Sequence, residues 1–216
     1  MQIEWLGERA LILRNLEVPA FTVARHLQVS CDLPEFQEAV ASYDTVGLYF
    51  TSKPPPLPEV EAIIRAAVLH VPADELGPLH AIPVCYELNE DLGNCAAQLQ
   101  LTAEQVIERH LSREYLCYAV GFSPGFAYLG HLDPTIRGLK RLPSPRKSVP
   151  PGSVGITGSQ TAVYPAATPG GWNLIGRCPL ELADVAEDYF PIHAGDRVQF
   201  QRIDESEFRK LEGSRL

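Results

Sequence analysis

The sequence predicts an α+β protein in two parts, and three observations carry that reading. Over the first 86 residues, short apolar runs and helical patterns follow one another in the order β-α-β-β-α-β. Within that stretch, Val60, Ile63, Ile64, Ala67 and Val68 fall at i, i+3, i+4, i+7 and i+8, which is one apolar helix face. From Tyr115 onward the texture changes: ten of the 16 glycines lie between Gly121 and Gly176, with many prolines and only short apolar runs. Short strands punctuated by Gly and Pro indicate a β-barrel or sandwich.

Each element has a local reason. Residues 3–6 and 10–13 read as strands around a Gly-Glu turn, and residues 21–29 as a helix. Residues 35–41 and 45–51 form a strand pair turning at Ser42, Tyr43 and Asp44. The first of these also fits a helix face through Leu33, Phe36 and Val40. It is read as a strand on a weak alternation and on the resemblance given below. The helix after Pro54, Pro55 and Pro56 leads to a returning strand over 80–86, which completes a ferredoxin-like unit spanning 1–86. The second part, 87–216, opens on a helix with Thr102 as N-cap and Gln105 three residues on, a capping box. That helix runs to about Ser112 and turns Val106, Ile107, His110 and Leu111 inward. Strands follow at 115–120, 153–156, 162–164, 173–175 and 197–200.

Composition excludes several classes of function. A chain of 216 residues with 45% hydrophobic and 21% charged residues is long enough to bury a core and is not dominated by disorder. A net charge of −9 speaks against a nucleic-acid footprint. No run approaches the ~20 apolar residues that span a bilayer, and the first residues lack the pattern of a signal peptide. The cysteines, Cys31, Cys85, Cys95, Cys117 and Cys178, are odd in number and contain no Cys-x-x-Cys, so reduced thiols in a cytoplasmic protein are expected, with no metal site. No Walker-type motif is present, so ATP has no recognisable site in this chain.

Two stretches carry the candidate chemistry. In YAVGFSPGFAYLG (118–130), Gly121 to Gly125 matches the Gly-x-Ser-x-Gly pattern of a nucleophile elbow. Pro124 follows the serine and has no N–H for an oxyanion hole, so a hydrolase triad with Asp184 and His193 is rejected. Two readings remain open. Phe122, Phe126 and Tyr128 fit the apolar wall of a ligand site that the glycines let backbone amides approach; they equally fit a structural turn with aromatic core residues. The second stretch, 141–179, holds Arg141, Arg146, Lys147 and Arg177 among Ser153, Thr157, Ser159, Gln160, Thr161 and Thr168. Arginine forks suit a carboxylate or phosphate, while solvated arginines and turn hydroxyls are the plainer account. His110, on an apolar helix face, is read as a hydrogen-bonded core residue.

The blocks VGFSPGFAYLG (120–130), VPPGSVGI (149–156) and TPGGWNLIGR (168–177) resemble signature blocks of the KipI family, also called allophanate hydrolase subunit 1 or the B-type subunit of 5-oxoprolinase. Weaker similarity extends to IPVCY (82–86), the helix ending at His110 and AGDRVQF (194–200). The resemblance implies a ferredoxin-like N-terminal domain and a cyclophilin-like C-terminal β-barrel of carboxyltransferase type. It implies work in a complex with a homologous C-type subunit (allophanate hydrolase subunit 2 family) and a LamB/YcsF-type A subunit, converting 5-oxoproline to glutamate at the expense of ATP, the chain being inactive alone. On that chemistry Arg146, Gln160 and Thr161 are expected to be catalytic, and Phe122, Gly125, Tyr128, Ser153, Thr168 and Gly170 to bind substrate. Other relatives imply two further roles, inhibition of a sensor histidine kinase or a carboxyltransferase part in urea utilisation. The chain departs from the family pattern at Ala127, at Leu139 to Arg141, at Ala162, and at Leu182 to Asp184, where the last change puts the role of an aspartate in doubt.

Overall fold

Strand β1 (Gln2–Trp5) and strand β2 (Ala10–Arg14) pair antiparallel and bury Ile3, Leu11 and Leu13 on one face. Gly7 turns this hairpin at φ +80°, a conformation that favours glycine. Helix α1 (Ala20–Ser30), strands β3 (Phe36–Ser42) and β4 (Thr45–Phe50) and helix α2 (Leu57–Val68) follow. In the computed structural model, which describes residues 1–69, 71 and 76–216, these elements make up one compact unit, Met1–Leu76; the second is Gly77–Leu216. The first unit's sheet runs β1-β2-β4-β3 with every pair antiparallel. Helix α1 packs on β3 and β4, and α2 on α1. The inward face of α2 is the expected one, with Val60 and Ile64 fully buried.

The strand expected over 80–86 is β5 (Leu79–Val84), and it does not close this sheet. It pairs in parallel with β13 (Arg197–Arg202) over six consecutive positions, from Leu79 opposite Arg197 to Val84 opposite Arg202. Its apolar side, Ile82 and Val84, is fully buried in the second unit's core. The place beside β2 is held instead by β1, so the first unit is a split β2-α1-β3 pair with β4 inserted between, and the division falls at 76/77 rather than after residue 86.

The second unit is a closed barrel. Strands β6 (Tyr115–Val120), β7 (Ala127–Gly130), β9 (Ser153–Thr157), β10 (Gln160–Val163) and β12 (Asn173–Arg177) continue the ladder in the order β5-β13-β6-β7-β10-β9-β12. The ladder returns to its start where Cys85 and Arg177 exchange backbone hydrogen bonds of 2.8 and 2.9 Å. The ring is thus joined by one bridge, just past the end of β5. Two short helices, α3 (Leu92–Leu99) and α4 (Ala103–Leu111), pack together, α3 against β12 and α4 against β13. Helix α5 (Glu205–Leu211) seats Phe208 beside Cys85 and Ile203. Outside the ring, β8 (Arg146–Val149) and β11 (Thr168–Gly170) form a separate two-stranded ribbon.

The capping box of α4 is present: Thr102 Oγ1 accepts from Gln105 N at 3.1 Å, and Gln105 Oε1 accepts from Thr102 N at 2.9 Å. At the other end of α4, His110 is fully buried and stacks on Phe200 with ring centroids 4.5 Å apart. Thr161 Oγ1 donates to Gly155 O at 3.2 Å, so it accepts from His110 Nε2 at 2.8 Å; Nδ1 is then bare and accepts from Tyr86 Oη at 2.7 Å. Every polar group in this relay is satisfied with the imidazole neutral.

Burial lowers the His110 pKa to about 3. The unfolded chain binds that proton near pH 6.5, so stability from this group is complete above about 6.5 and declines as pH falls toward 3, by about 1.4 kcal/mol per pH unit. Denaturant melts of the wild type against His110→Gln are expected to diverge in this way between pH 6.5 and 4. Parallel pH profiles would show that His110 is not held neutral.

Candidate functional site

The turn between β6 and β7 is built by glycine and by strain. Gly121 N donates to Phe126 O at 3.0 Å and Phe126 N to Ser123 O at 3.1 Å, while Gly125 and the non-glycine Phe122 take φ of +75° and +71°. A bulky side chain at positive φ is rare and concentrates at functional positions. Phe122 is 63% exposed at the tip, whereas Phe126 is buried and serves as a hub. Around Phe126 the rings of Phe122, Tyr128, Tyr164 and Trp172 stand edge-on, with centroids at 5.3, 5.0, 5.2 and 5.6 Å.

The β8–β11 ribbon lies beside this cluster. Gly170 sits opposite Arg146 and Thr168 opposite Val149, with a bulge between. A Cβ at Gly170 would stand 2.5 Å from the Tyr164 hydroxyl, so only glycine lets the ribbon approach so closely. Arg146 ties the ribbon to the barrel: Nη2 donates to both carboxylate oxygens of Asp91 at 2.8 Å, Nε to Glu90 Oε2 at 3.0 Å, and Nη1 to Trp172 O at 3.4 Å. Asp91, itself buried, also accepts from Leu174 N at 2.6 Å. Burial raises the Tyr164 pKa, opposed by a backbone hydrogen bond at Trp172 and by the charges of Arg141 and Arg146.

These contacts sort the expected residues. Phe122, Gly125 and Tyr128 belong to the turn and its aromatic wall, and Arg146, Thr168 and Gly170 to the ribbon beside it. On β10, Ala162 faces the aromatic cluster and Thr161 faces the barrel interior, where its hydroxyl is engaged by His110 and Gly155. Strand alternation puts Gln160 on the cluster's side with Ala162. Ser153 is buried at the start of β9, two residues before Gly155, whose Cα packs under Trp172 and Tyr164. Arg177 lies elsewhere: it donates to Pro151 O at 3.2 Å and its guanidinium stands over Phe208 at 5.6 Å.

Asp91, Glu90, Tyr164 and Trp172 are not singled out by sequence pattern. Trp172 lies within a signature block, but nothing local marks Asp91 as the partner of an arginine 55 positions on. The hydroxyls of Ser123 and Thr168 are buried without a hydrogen-bond partner among the described residues. Ser123 has no base beside it, Asp184 pairs with Arg215, and His193 approaches Asp196, so no triad forms. Burial pushes the thiols of Cys95, Cys117 and Cys178 up to about 12, leaving no thiolate among them at neutral pH. Among the described residues no three His, Cys, Asp or Glu side chains are grouped to hold a metal, and no helix is long and apolar enough to cross a membrane.

The solved structure of TTHA0988 superposes on this barrel, ribbon and turn with a TM-score of 0.77 at 33% identity over 91% of this chain. The chain spans 40% of the length of that protein. A family model, carboxyltransferase domain, subdomain C and D, matches residues 1–191, and the chain belongs to this family. Among its relatives are the B-type subunit of 5-oxoprolinase from Bacillus subtilis (strain 168), 36% identical over 96% of this chain and 95% of the relative, and its counterpart from Escherichia coli O157:H7, 38% identical over 90% and 93%.

The two glycine environments give a paired test. Gly170→Ala drives a methyl into the Tyr164 ring and is expected to cost about 1–3 kcal/mol. Gly93→Ala, at an exposed position of α3 with open space around it, is expected to stabilise by about 0.5–1 kcal/mol. Urea denaturation of both variants checks the pair; equal effects would mean the ribbon does not press on Tyr164.

Proposed function

We propose that this chain is the B-type subunit of an ATP-dependent 5-oxoprolinase, converting 5-oxoproline to glutamate in the cytoplasm together with a homologous C-type subunit and a LamB/YcsF-type A subunit. The observation that carries the proposal is the near full-length match to proteins named as that B-type subunit, at 36 to 38% identity. Five unpaired cysteines agree with a reducing compartment.

The site chemistry suits the substrate. 5-Oxoproline is a small ring with an apolar edge, a lactam carbonyl and a carboxylate. Phe122, Tyr128 and Trp172 supply the apolar wall, while Gly125 and Gly170 let Ala183 and Tyr164 pack closely against the turn and the ribbon that carry it. Gln160 offers an amide on the same side of β10, and exposed Arg141 a cation near Tyr164. Arg146 is assigned to holding the ribbon, because its nitrogens already face Asp91, Glu90 and Trp172. Thr161 is assigned to positioning β10 through His110 rather than to contact with substrate. ATP supplies activation of the poorly electrophilic lactam, and donors fixed near its oxygen then stabilise the developing charge.

Glutamate release from 5-oxoproline and ATP, measured with all three subunits and with each omitted in turn, tests the proposal. Activity is expected only from the full set, with Gln160→Ala lowering kcat about 100-fold in an assembled complex. A folded, assembled complex without turnover would overturn the assignment.

A further inference from the structure

The loop from Glu181 to Phe190 contains the departure from the family pattern at Asp184, and one arginine holds it. Arg215 Nε meets Glu181 Oε2 at 3.0 Å, Nη2 meets Asp184 Oδ2 at 3.0 Å, and Nη1 meets Glu187 Oε2 at 2.7 Å. Its guanidinium also lies 4.6 Å from the centre of the Tyr189 ring. The backbone follows the same path: Glu181 N donates to Ser214 O at 2.8 Å, and Tyr189 Oη to Leu216 O at 3.1 Å. Within the loop, Asp184 and Tyr189 exchange backbone hydrogen bonds of 2.9 Å each, and Asp184 Oδ1 accepts from Ala186 N.

The opposite side of this loop meets the aromatic turn. A Cβ at Gly125 would stand 2.5 Å from Ala183 Cβ, 3.3 Å from Leu182 O and 3.5 Å from Phe190 Cδ1. The loop is therefore the wall against which a strained turn is seated, in direct van der Waals contact at its one glycine of positive φ. Without a cation among them, Glu181, Asp184 and Glu187 repel one another, and the loop relaxes away from that contact.

We propose that Arg215 is a positioning residue for the Gly121–Phe126 turn: by clamping Glu181, Asp184 and Glu187 it holds Leu182, Ala183 and Phe190 against Gly125, and so fixes Phe122 and Ser123. The consequence for substrate rests on the reading of this turn as part of the substrate site. Asp184 has its role here, as a member of the clamp.

Hydrogen–deuterium exchange on the full chain tests the clamp without reference to activity. Arg215→Gln is expected to raise exchange about tenfold in peptides spanning 181–190 and 121–128, leaving β9 and β10 protected. Glu187→Gln, a milder change at an exposed carboxylate, is expected to give a smaller rise in both. Faster exchange confined to 181–190 in both variants would overturn the proposal. In the reconstituted complex, Arg215→Gln is expected to raise KM for 5-oxoproline about threefold with kcat little changed, and Arg215→Lys to recover part of it. Exchange that spreads to the turn with KM unmoved upholds the clamp and overturns the placement of substrate at the turn instead.

Discussion

The candidate site depends on one buried charge, Asp91, and on what neutralises it. A carboxylate removed from water is costly unless paired and hydrogen-bonded, and Asp91 is both. Its two oxygens take Arg146 Nη2, and one of them also takes Leu174 N, while its own N–H donates to Leu174 O at 2.8 Å. One residue thus joins the start of α3, the strand β12 and the ribbon strand β8. Because Arg146 faces Gly170 across the ribbon, the pair also sets how far β11 approaches Tyr164. Residue identity, ribbon position and aromatic wall form one chain of consequence.

The barrel interior beside this site is ordered by a neutral network. Tyr86, His110, Thr161 and Gly155 pass hydrogen bonds in one direction, each partner satisfied. Thr161 and Ala162 are neighbours with opposite duties: one side chain completes the interior network and the other packs under the aromatic cluster. The ring of strands closes around this network, so the outer face of β9, β10 and β12 is a firm floor for the aromatics.

Much of this is legible in the sequence because it is local. The face of α2, the Thr102 capping box and the strands around 115–120, 153–156 and 173–175 follow from short-range pattern. Helix α3 carries its signal in Leu92, Cys95, Ala96 and Leu99, but Gly93 and Asn94 weaken its propensity and hide it. The ribbon strands, Arg-Lys-Ser-Val and Thr-Pro-Gly, have no apolar alternation and exist only through each other. The partner of β5 lies more than a hundred residues away, beyond any local pattern, which is why the unit boundary shifts. For the site, aromatic and glycine content marks Phe122, Gly125, Tyr128 and Gly170. The inward direction of the Thr161 side chain is hidden, because side-chain direction along β10 depends on a register that the sequence does not display.

The Asp91–Arg146 pair carries the site, and a double-mutant cycle measures it directly. Asp91→Asn, Arg146→Met and the double variant would be compared by urea denaturation. A coupling of about 1.5–3 kcal/mol is predicted, with the double variant less destabilised than the sum of the singles. A coupling near zero would mean that the ribbon is held by other contacts, and would contradict the central place given to this pair.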